Sequence, residues 1–102
     1  MTLLTAAEAA RLPALHTTDS VPLADKVAQV KFFTPWTDWT WFAIEYSPAD
    51  RLAWGWVIGI EQECGYFNLD EMEAIRGPGG LRIERDVHFR PTRLGAIRGV
   101  AL

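Results

Sequence analysis

The sequence predicts an α+β fold: an antiparallel meander sheet of three to five strands with two or three short helices. Two segments, 39–46 and 51–58, are rich in aromatic and β-branched residues, and Ser47-Pro48-Ala49-Asp50 between them has the composition of a hairpin turn. Capping motifs at Thr5 and Asn68 predict two short helices. The length of 102 residues, 49% of them hydrophobic, corresponds to a single domain, residues 1–102, with its own core.

The other elements are predicted from local signals. The first helix starts at the capping box of Thr5 and Glu8 and ends before Pro13. The second begins at Asn68 and ends at Gly77, a glycine expected to adopt the left-handed conformation that stops a helix, here called a left-handed stop. In chain order we expect a helix over 6–12, an irregular connection over 13–25, a strand over 27–33, the two hairpin strands, a short strand over 64–67, a helix over 69–75, an edge strand over 87–90 and a terminal helix that begins at Thr92.

All five tryptophans lie between positions 36 and 56, where the hairpin is predicted. Pairing Tyr46 with Arg51 across the loop fixes the register, and Trp41 then lies opposite Trp56. Side chains alternate between the two faces of a strand, so four tryptophans are expected on one face. That face carries Trp39, Trp41, Ala43, Glu45, Leu52, Trp54, Trp56 and Ile58.

The tryptophan-rich hairpin has two interpretations. Neither of its faces is polar, so the first interpretation is that helices and loops cover both sides. Alternatively, part of the tryptophan face stays open and receives a partner, since tryptophan is enriched at binding hot spots. The candidate binding residues under the second interpretation are Trp36, Trp39, Trp41, Trp54 and Trp56.

Charge is divided unevenly along the chain. Residues 1–75 carry four Lys or Arg against eleven Asp or Glu, whereas residues 76–102 carry six arginines against two acids, and the total is −3. Either the basic tail packs onto the acidic body through ion pairs, or it binds nucleic acid or another anion. The net charge opposes broad attraction to DNA and favours the first explanation. The candidate anion-binding residues are Arg82, Arg85, Arg90 and Arg93.

Sites for metals, cofactors and catalysis are poorly supported. His16, Cys64 and His88 are far apart in the sequence and match no metal motif, so no metal or cofactor is expected. Cys64 is expected to be a buried, inert thiol. The pattern favours a non-enzymatic protein. The alternative is a small enzyme with an acid/base carboxylate, either Glu45, whose apolar neighbours would raise its pKa, or Glu84. The groups expected near that carboxylate are Arg85 and His88.

The sequence also gives an expectation for the compartment. It has no apolar run of the roughly 18 residues that a membrane span needs, and no signal peptide is apparent at its start. A single cysteine fits a reducing environment. We therefore expect a cytoplasmic protein that does not enter the membrane.

An ordered set of residues extends along nearly the whole chain. It comprises Val30-Lys31-Phe32-Phe33-Thr34-Pro35, Trp39-Thr40-Trp41, Glu45-Tyr46, Pro48, Asp50, Gly55, Gly59, Glu63, Gly65-Tyr66-Phe67, Leu69, Arg76-Gly77 and Ile83-Glu84-Arg85-Asp86. This set resembles a family of small bacterial proteins known only as a domain of unknown function. The resemblance implies a bacterial, cytoplasmic setting on plasmids, phages and conjugative elements, and it brings no catalytic residue with it.

These observations favour a protein-interaction module whose partner is another protein. In a mobile-element setting the partner would be a host defence or replication protein, by context alone. Binding of nucleic acid or an anion through the arginines and the small-enzyme hypothesis stay open as alternatives.

Overall fold

The computed structural model describes residues 2–102 of the chain. Its helices are α1 (Ala6–Arg11) and α2 (Leu69–Ala74), and short 3-10 turns lie at Leu23–Asp25, Pro78–Gly80 and Leu94–Ala96. Its strands are β1 (Val27–Ala28), β2 (Val30–Phe33), β3 (Thr40–Ser47), β4 (Leu52–Ile58), β5 (Gln62–Asn68), β6 (Glu84–Arg85) and β7 (Thr92–Arg93).

Five of the strands form one antiparallel sheet in the order β5-β4-β3-β2-β6. Strands β2 to β5 are neighbours in chain order, and β6 returns to pair with β2. Strands β1 and β7 form a separate two-stranded ribbon. The predicted α+β meander is therefore confirmed, with β5 at one edge of the sheet.

Both predicted capping motifs form. The Thr5 side chain accepts the backbone N–H of Glu8, and the Glu8 carboxylate accepts the backbone N–H of Thr5. At α2, the Asn68 side chain accepts the backbone N–H of Glu71 at 3.0 Å. The left-handed stop predicted at Gly77 is wrong, because the φ angle of Gly77 is −99° and the chain has already left the helix.

The C-terminal part of the chain differs most from the prediction. Residues 87–90 form a turn and coil rather than an edge strand, since the backbone N–H of His88 bonds to the Asp86 carboxylate at 2.9 Å. Thr92 caps no helix and instead pairs with Ala28 in the ribbon. The 3-10 turn Leu94–Ala96 is held by burial of Leu94 against the sheet. Packing, and not a local helix signal, therefore determines its conformation.

The central hairpin has a β-bulge that changes its register. Ala43 pairs with Gly55, whereas Glu45 pairs with Trp54, so Ile44 is an extra residue on β3. The bulge also explains why residue 55 is a glycine. A Cβ atom at residue 55 would overlap the carbonyl oxygen of Phe42, and only glycine permits so close an approach of two backbones.

The bulge divides the tryptophans between two faces of the sheet. An extra residue shifts the alternation by one, so Trp39 and Trp41 turn away from the face that carries Trp54 and Trp56. Trp41 lies opposite Val57 and not opposite Trp56. The prediction of four tryptophans on one face is therefore wrong.

Each face is covered over most of its area. The face with Trp41, here called the helix face, packs against residues that flank α1 and against α2, namely Leu3, Leu4, Leu12, Leu69 and Met72. The face with Trp56, here called the tail face, packs against Leu23 and against the C-terminal residues Phe89, Leu94, Ile97 and Val100.

Candidate functional site

The helix face is incompletely covered beside the loop between β2 and β3. Trp39 follows this loop and is 40% exposed. Its ring stacks on that of Trp41 with the centroids 5.8 Å apart. The ring also lies against Gly59, where an added Cβ atom would be 2.5 Å from it. These two contacts restrict the orientation of the exposed indole.

Trp36, in the same loop, is held in a similar way. Its ring lies against Gly77, where a Cβ atom would again be 2.5 Å away. The loop itself is closed by hydrogen bonds from the Thr34 N–H to the Trp39 carbonyl at 3.1 Å and from the Trp39 N–H to the Thr37 hydroxyl at 3.2 Å. We call Trp36, Trp39 and Trp41 the tryptophan ridge.

Two surface grooves flank the tryptophan ridge, and Trp39 lines both. One groove, of about 300 Å³, lies between Trp39 and the turn that joins β4 to β5, where Ile60 is 94% exposed. The other, of about 310 Å³, lies between the three ridge tryptophans and Ile75, which is 42% exposed. The ridge and its grooves thus bring several partly exposed apolar side chains together on one surface.

The first groove has an acidic wall. Glu61 and Glu63 line it together with Trp39, and both glutamates are exposed. Among residues 2–102, no ion pair involves either of them. Their charge is therefore available to a cationic group that enters the groove.

The remaining two tryptophans lie on the tail face. Trp56 is 6% exposed, and its ring N–H bonds to the Gln62 side chain at 3.1 Å. Trp54 is half-buried below the Lys26 ammonium group, which lies 5.5 Å from the ring centroid. The five candidate tryptophans are therefore not brought together, and only Trp36, Trp39 and Trp41 share a surface.

Glu45 is not at an edge of the sheet and does not have the raised pKa expected for a general acid. It is 2% exposed and accepts the N–H groups of His16 at 2.8 Å and Thr18 at 3.0 Å, and also the Thr18 hydroxyl. Burial opposes its ionisation, but these hydrogen bonds and the charge of Lys26 outweigh it and lower the pKa of Glu45. Its role here is to hold the 13–25 connection on the sheet.

The other groups of the small-enzyme hypothesis do not meet Glu45. Glu84 and Arg85 form β6, and β2 lies between that strand and the strand of Glu45. The backbone of His88 is bonded to Asp86 in the following turn. Glu45 therefore does not share a site with Glu84, Arg85 or His88.

Two of the four candidate anion-binding arginines make intramolecular ion pairs. Arg85 lies 3.5 Å from the Glu8 carboxylate, and Arg93 lies 3.1 Å from that of Asp25. Arg82 and Arg90 are exposed. The strip therefore serves in part to fasten the tail to the acidic body.

Cys64 is exposed on β5, so the expectation of a buried thiol is wrong. Partial burial nevertheless raises the pKa of the thiol, against the opposing charge of Lys26, and disfavours the reactive thiolate. Within residues 2–102, no cluster of His, Cys, Asp and Glu side chains is placed to hold a metal ion. In the same range, no helix has the length and apolar character needed to cross a membrane.

Several residues of this surface were not identified from the sequence. The predicted elements leave Gly59, Ile60, Glu61 and Glu63 in the connection between the strands over 51–58 and 64–67, and Gly77 only ends a helix. Gly59 and Gly77 each leave room for a tryptophan ring, but the sequence alone does not show which side chains lie against these glycines.

The fold and this surface define a small α+β domain that presents the tryptophan ridge beside an acidic groove. The chain belongs to the family described as "Protein of unknown function (DUF2958)", whose model matches residues 3–96. Comparisons with curated proteins and with solved structures give no match.

Proposed function

We propose that this protein is a non-enzymatic protein-interaction module and that the tryptophan ridge is its binding surface. The observation that carries the proposal is Trp39, a large indole that is 40% exposed and lines two surface grooves. Aromatic anchors beside grooves are typical of the few residues that dominate a protein interface.

The packing of the ridge favours binding in energetic terms. Immobilising a flexible side chain at an interface costs roughly 0.5–1.5 kcal/mol. Trp39 already contacts Trp41 and Gly59, and Trp36 contacts Gly77, so a partner has less of that cost to meet. A preorganised apolar surface of this kind suits a protein partner.

The test is selection of binders from a phage-displayed random peptide library on the intact protein. We expect binders whose affinity falls at least about tenfold for Trp39→Ala, the loss of one interface anchor. Val87→Ala is the matched control, since Val87 is an exposed apolar residue outside the ridge. Selection that returns only binders indifferent to Trp39→Ala would refute the proposal.

Nucleic-acid or anion binding through the arginines is the alternative, and it is supported by the exposure of Arg82 and Arg90. It requires affinity for DNA or RNA that falls steeply with salt. Titration of labelled single- and double-stranded oligonucleotides at low salt, with Arg82→Ala/Arg90→Ala as the comparison, separates this function from the first.

The cellular setting forms part of the same proposal. We place the protein in the bacterial cytoplasm, on a mobile element, with a host defence or replication protein as the partner. The support is the resemblance described above and the single cysteine, which fits a reducing compartment.

A further inference from the structure

Strand β5 is an open edge of the sheet next to the tryptophan ridge. It lies at the end of the strand order, and within residues 2–102 no strand pairs with its outer side. It is seven residues long, Gln62–Asn68, and Cys64 and Tyr66 are exposed along it. An exposed edge of this length is a template for an added strand.

Two backbone hydrogen bonds show which groups the open edge offers. The N–H of Leu69 bonds to the carbonyl of Arg51, and that of Gly59 to the carbonyl of Glu61, both at 2.9 Å. These bonds bracket the β4–β5 ladder, and hydrogen-bonded pairs recur at every second residue. The odd-numbered residues of β5 therefore face β4, and the N–H and C=O groups of Cys64 and Tyr66 point outward.

The same edge continues into the acidic groove. Glu63 belongs to β5, and its side chain lines the groove with Trp39 and Glu61. A residue directly opposite Glu63 on an added strand would have its side chain on the same face, about 5 Å away. That position suits a positive charge, which would lie close to both carboxylates and beside an indole ring.

Gly65, two residues along β5, extends this side-chain pattern. A Cβ atom there would meet only Val57, at 3.8 Å, so the surface above the glycine has room for a neighbouring side chain. A bulky residue opposite a strand glycine covers the exposed backbone. The edge is therefore suited to an added strand with a basic and a bulky residue two positions apart.

We propose that the partner of the tryptophan ridge is an extended basic segment of another protein, which adds to β5 as a sixth strand and places a lysine or arginine beside Glu63. This inference rests on the proposed function, because it names the partner chemistry of the same surface. The acidic balance of residues 1–75, with four basic and eleven acidic residues, attracts such a segment over a longer range.

The experiment uses the peptides selected on the intact protein and measures their dissociation constants by fluorescence anisotropy. We expect the selected sequences to be enriched in a basic and a bulky residue two positions apart. Cys64→Pro removes an outward N–H without breaking the ladder to β4, and Cys64→Ser keeps it. We expect at least about tenfold weaker binding for the proline variant and little change for the serine variant.

The charge contact has its own matched pair. Glu63→Gln removes a carboxylate from the groove, and Glu71→Gln removes one from the exposed side of α2. We expect weaker binding only for Glu63→Gln, by roughly threefold to fivefold at low salt, with a smaller difference at high salt. Hydrogen exchange of the Cys64 and Tyr66 amides in the unmodified protein must slow on binding, which keeps the test valid if Cys64→Pro fails to fold.

The outcomes separate this inference from the proposed function. Peptides that need Trp39 but bind Cys64→Pro and Glu63→Gln normally, without slowing of the two amides, would overturn the added strand and leave the ridge as a binding surface. Absence of any Trp39-dependent peptide would overturn both. A dimer in sedimentation that Cys64→Pro converts to monomer would mean that a second copy occupies the edge, against this inference.

Discussion

The indole ring of Trp39 lies against Gly59, 2.5 Å from where a Cβ atom at residue 59 would be. This contact and the stacking on Trp41, with ring centroids 5.8 Å apart, restrict the orientations open to this large apolar side chain on the surface. The backbone of Gly59 is not in the left-handed region, so its conformation does not require glycine. The close approach of the Trp39 ring does.

The first prediction concerns Gly59→Ala. The added methyl group must displace the Trp39 ring, so we expect a red-shifted and more readily quenched tryptophan emission and weaker binding of ridge-dependent peptides. In the Trp39→Ala variant the added methyl group has no ring to displace, so Gly59→Ala should change the free energy of unfolding little. Equal effects of Gly59→Ala in both backgrounds, measured by denaturant unfolding, would show that the two residues are not coupled.

The second prediction concerns the glycines that face each other on β4 and β5. Gly55→Ala forces a methyl group into the carbonyl of Phe42 at the bulge, and we expect it to lower the free energy of unfolding by about 3 kcal/mol or more. Gly65→Ala, directly across the ladder, meets only an ordinary contact with Val57 and should cost about 1 kcal/mol at most. Urea denaturation of the two variants measures the difference, and similar losses would argue against the bulge as described.

The third prediction concerns the pH dependence of stability. The pKa of Glu45 is lower in the folded chain than its ordinary value of 4.5, because the hydrogen bonds from Thr18 and His16 outweigh the cost of burial. Its ionised form therefore stabilises the fold above that ordinary value, and this contribution is lost as the pH falls through the depressed pKa. We expect Glu45→Gln to cost about 1–3 kcal/mol at neutral pH and to unfold with a weaker acid dependence.

Denaturant unfolding of Glu45→Gln and the unmodified protein at a series of pH values checks this. Glu73, whose pKa is lowered chiefly by the Arg51 side chain, contributes in the same direction in both proteins and cancels in the comparison. A constant difference between the two proteins from neutral pH to below about pH 3 would contradict the assigned role of Glu45.

The fourth prediction concerns the basic tail. Arg85 pairs with Glu8 and also donates to the Leu3 carbonyl at 3.2 Å, so it fastens the N-terminal segment to β6. We expect Arg85→Ala to lower the free energy of unfolding by about 1 kcal/mol, whereas Arg82→Ala, at an exposed position, should change it by less than about 0.5 kcal/mol. Thermal unfolding of both variants gives the comparison, and an equal response would mean that the Arg85 contacts contribute nothing.

Much of the fold follows from local signals. The capping residues at Thr5 and Asn68, the turn around Pro48 and the aromatic and β-branched hairpin strands are each specified by a few neighbouring residues. Such features depend little on distant contacts, and the sequence predicts them for that reason.

The features that the sequence did not predict depend on contacts between distant segments. Alternation along β3 carries no mark of an extra residue at Ile44, because Ala43, Ile44 and Glu45 all fit a strand, and one bulge moves Trp39 and Trp41 to the other face. The C-terminal segment is shaped by burial of Leu94 against the sheet, which local propensity does not encode. The sequence therefore predicts that tryptophans form the candidate site, but it does not predict that only Trp36, Trp39 and Trp41 share one surface.

The most direct test of the interaction surface uses the five indole N–H signals in a ¹H–¹⁵N spectrum of the intact protein. Addition of a selected peptide is expected to shift the signals of Trp36 and Trp39 more than those of Trp54 and Trp56, on the tail face. Shifts confined to Trp54 and Trp56, or no indole shift under saturating peptide, would contradict binding at the tryptophan ridge.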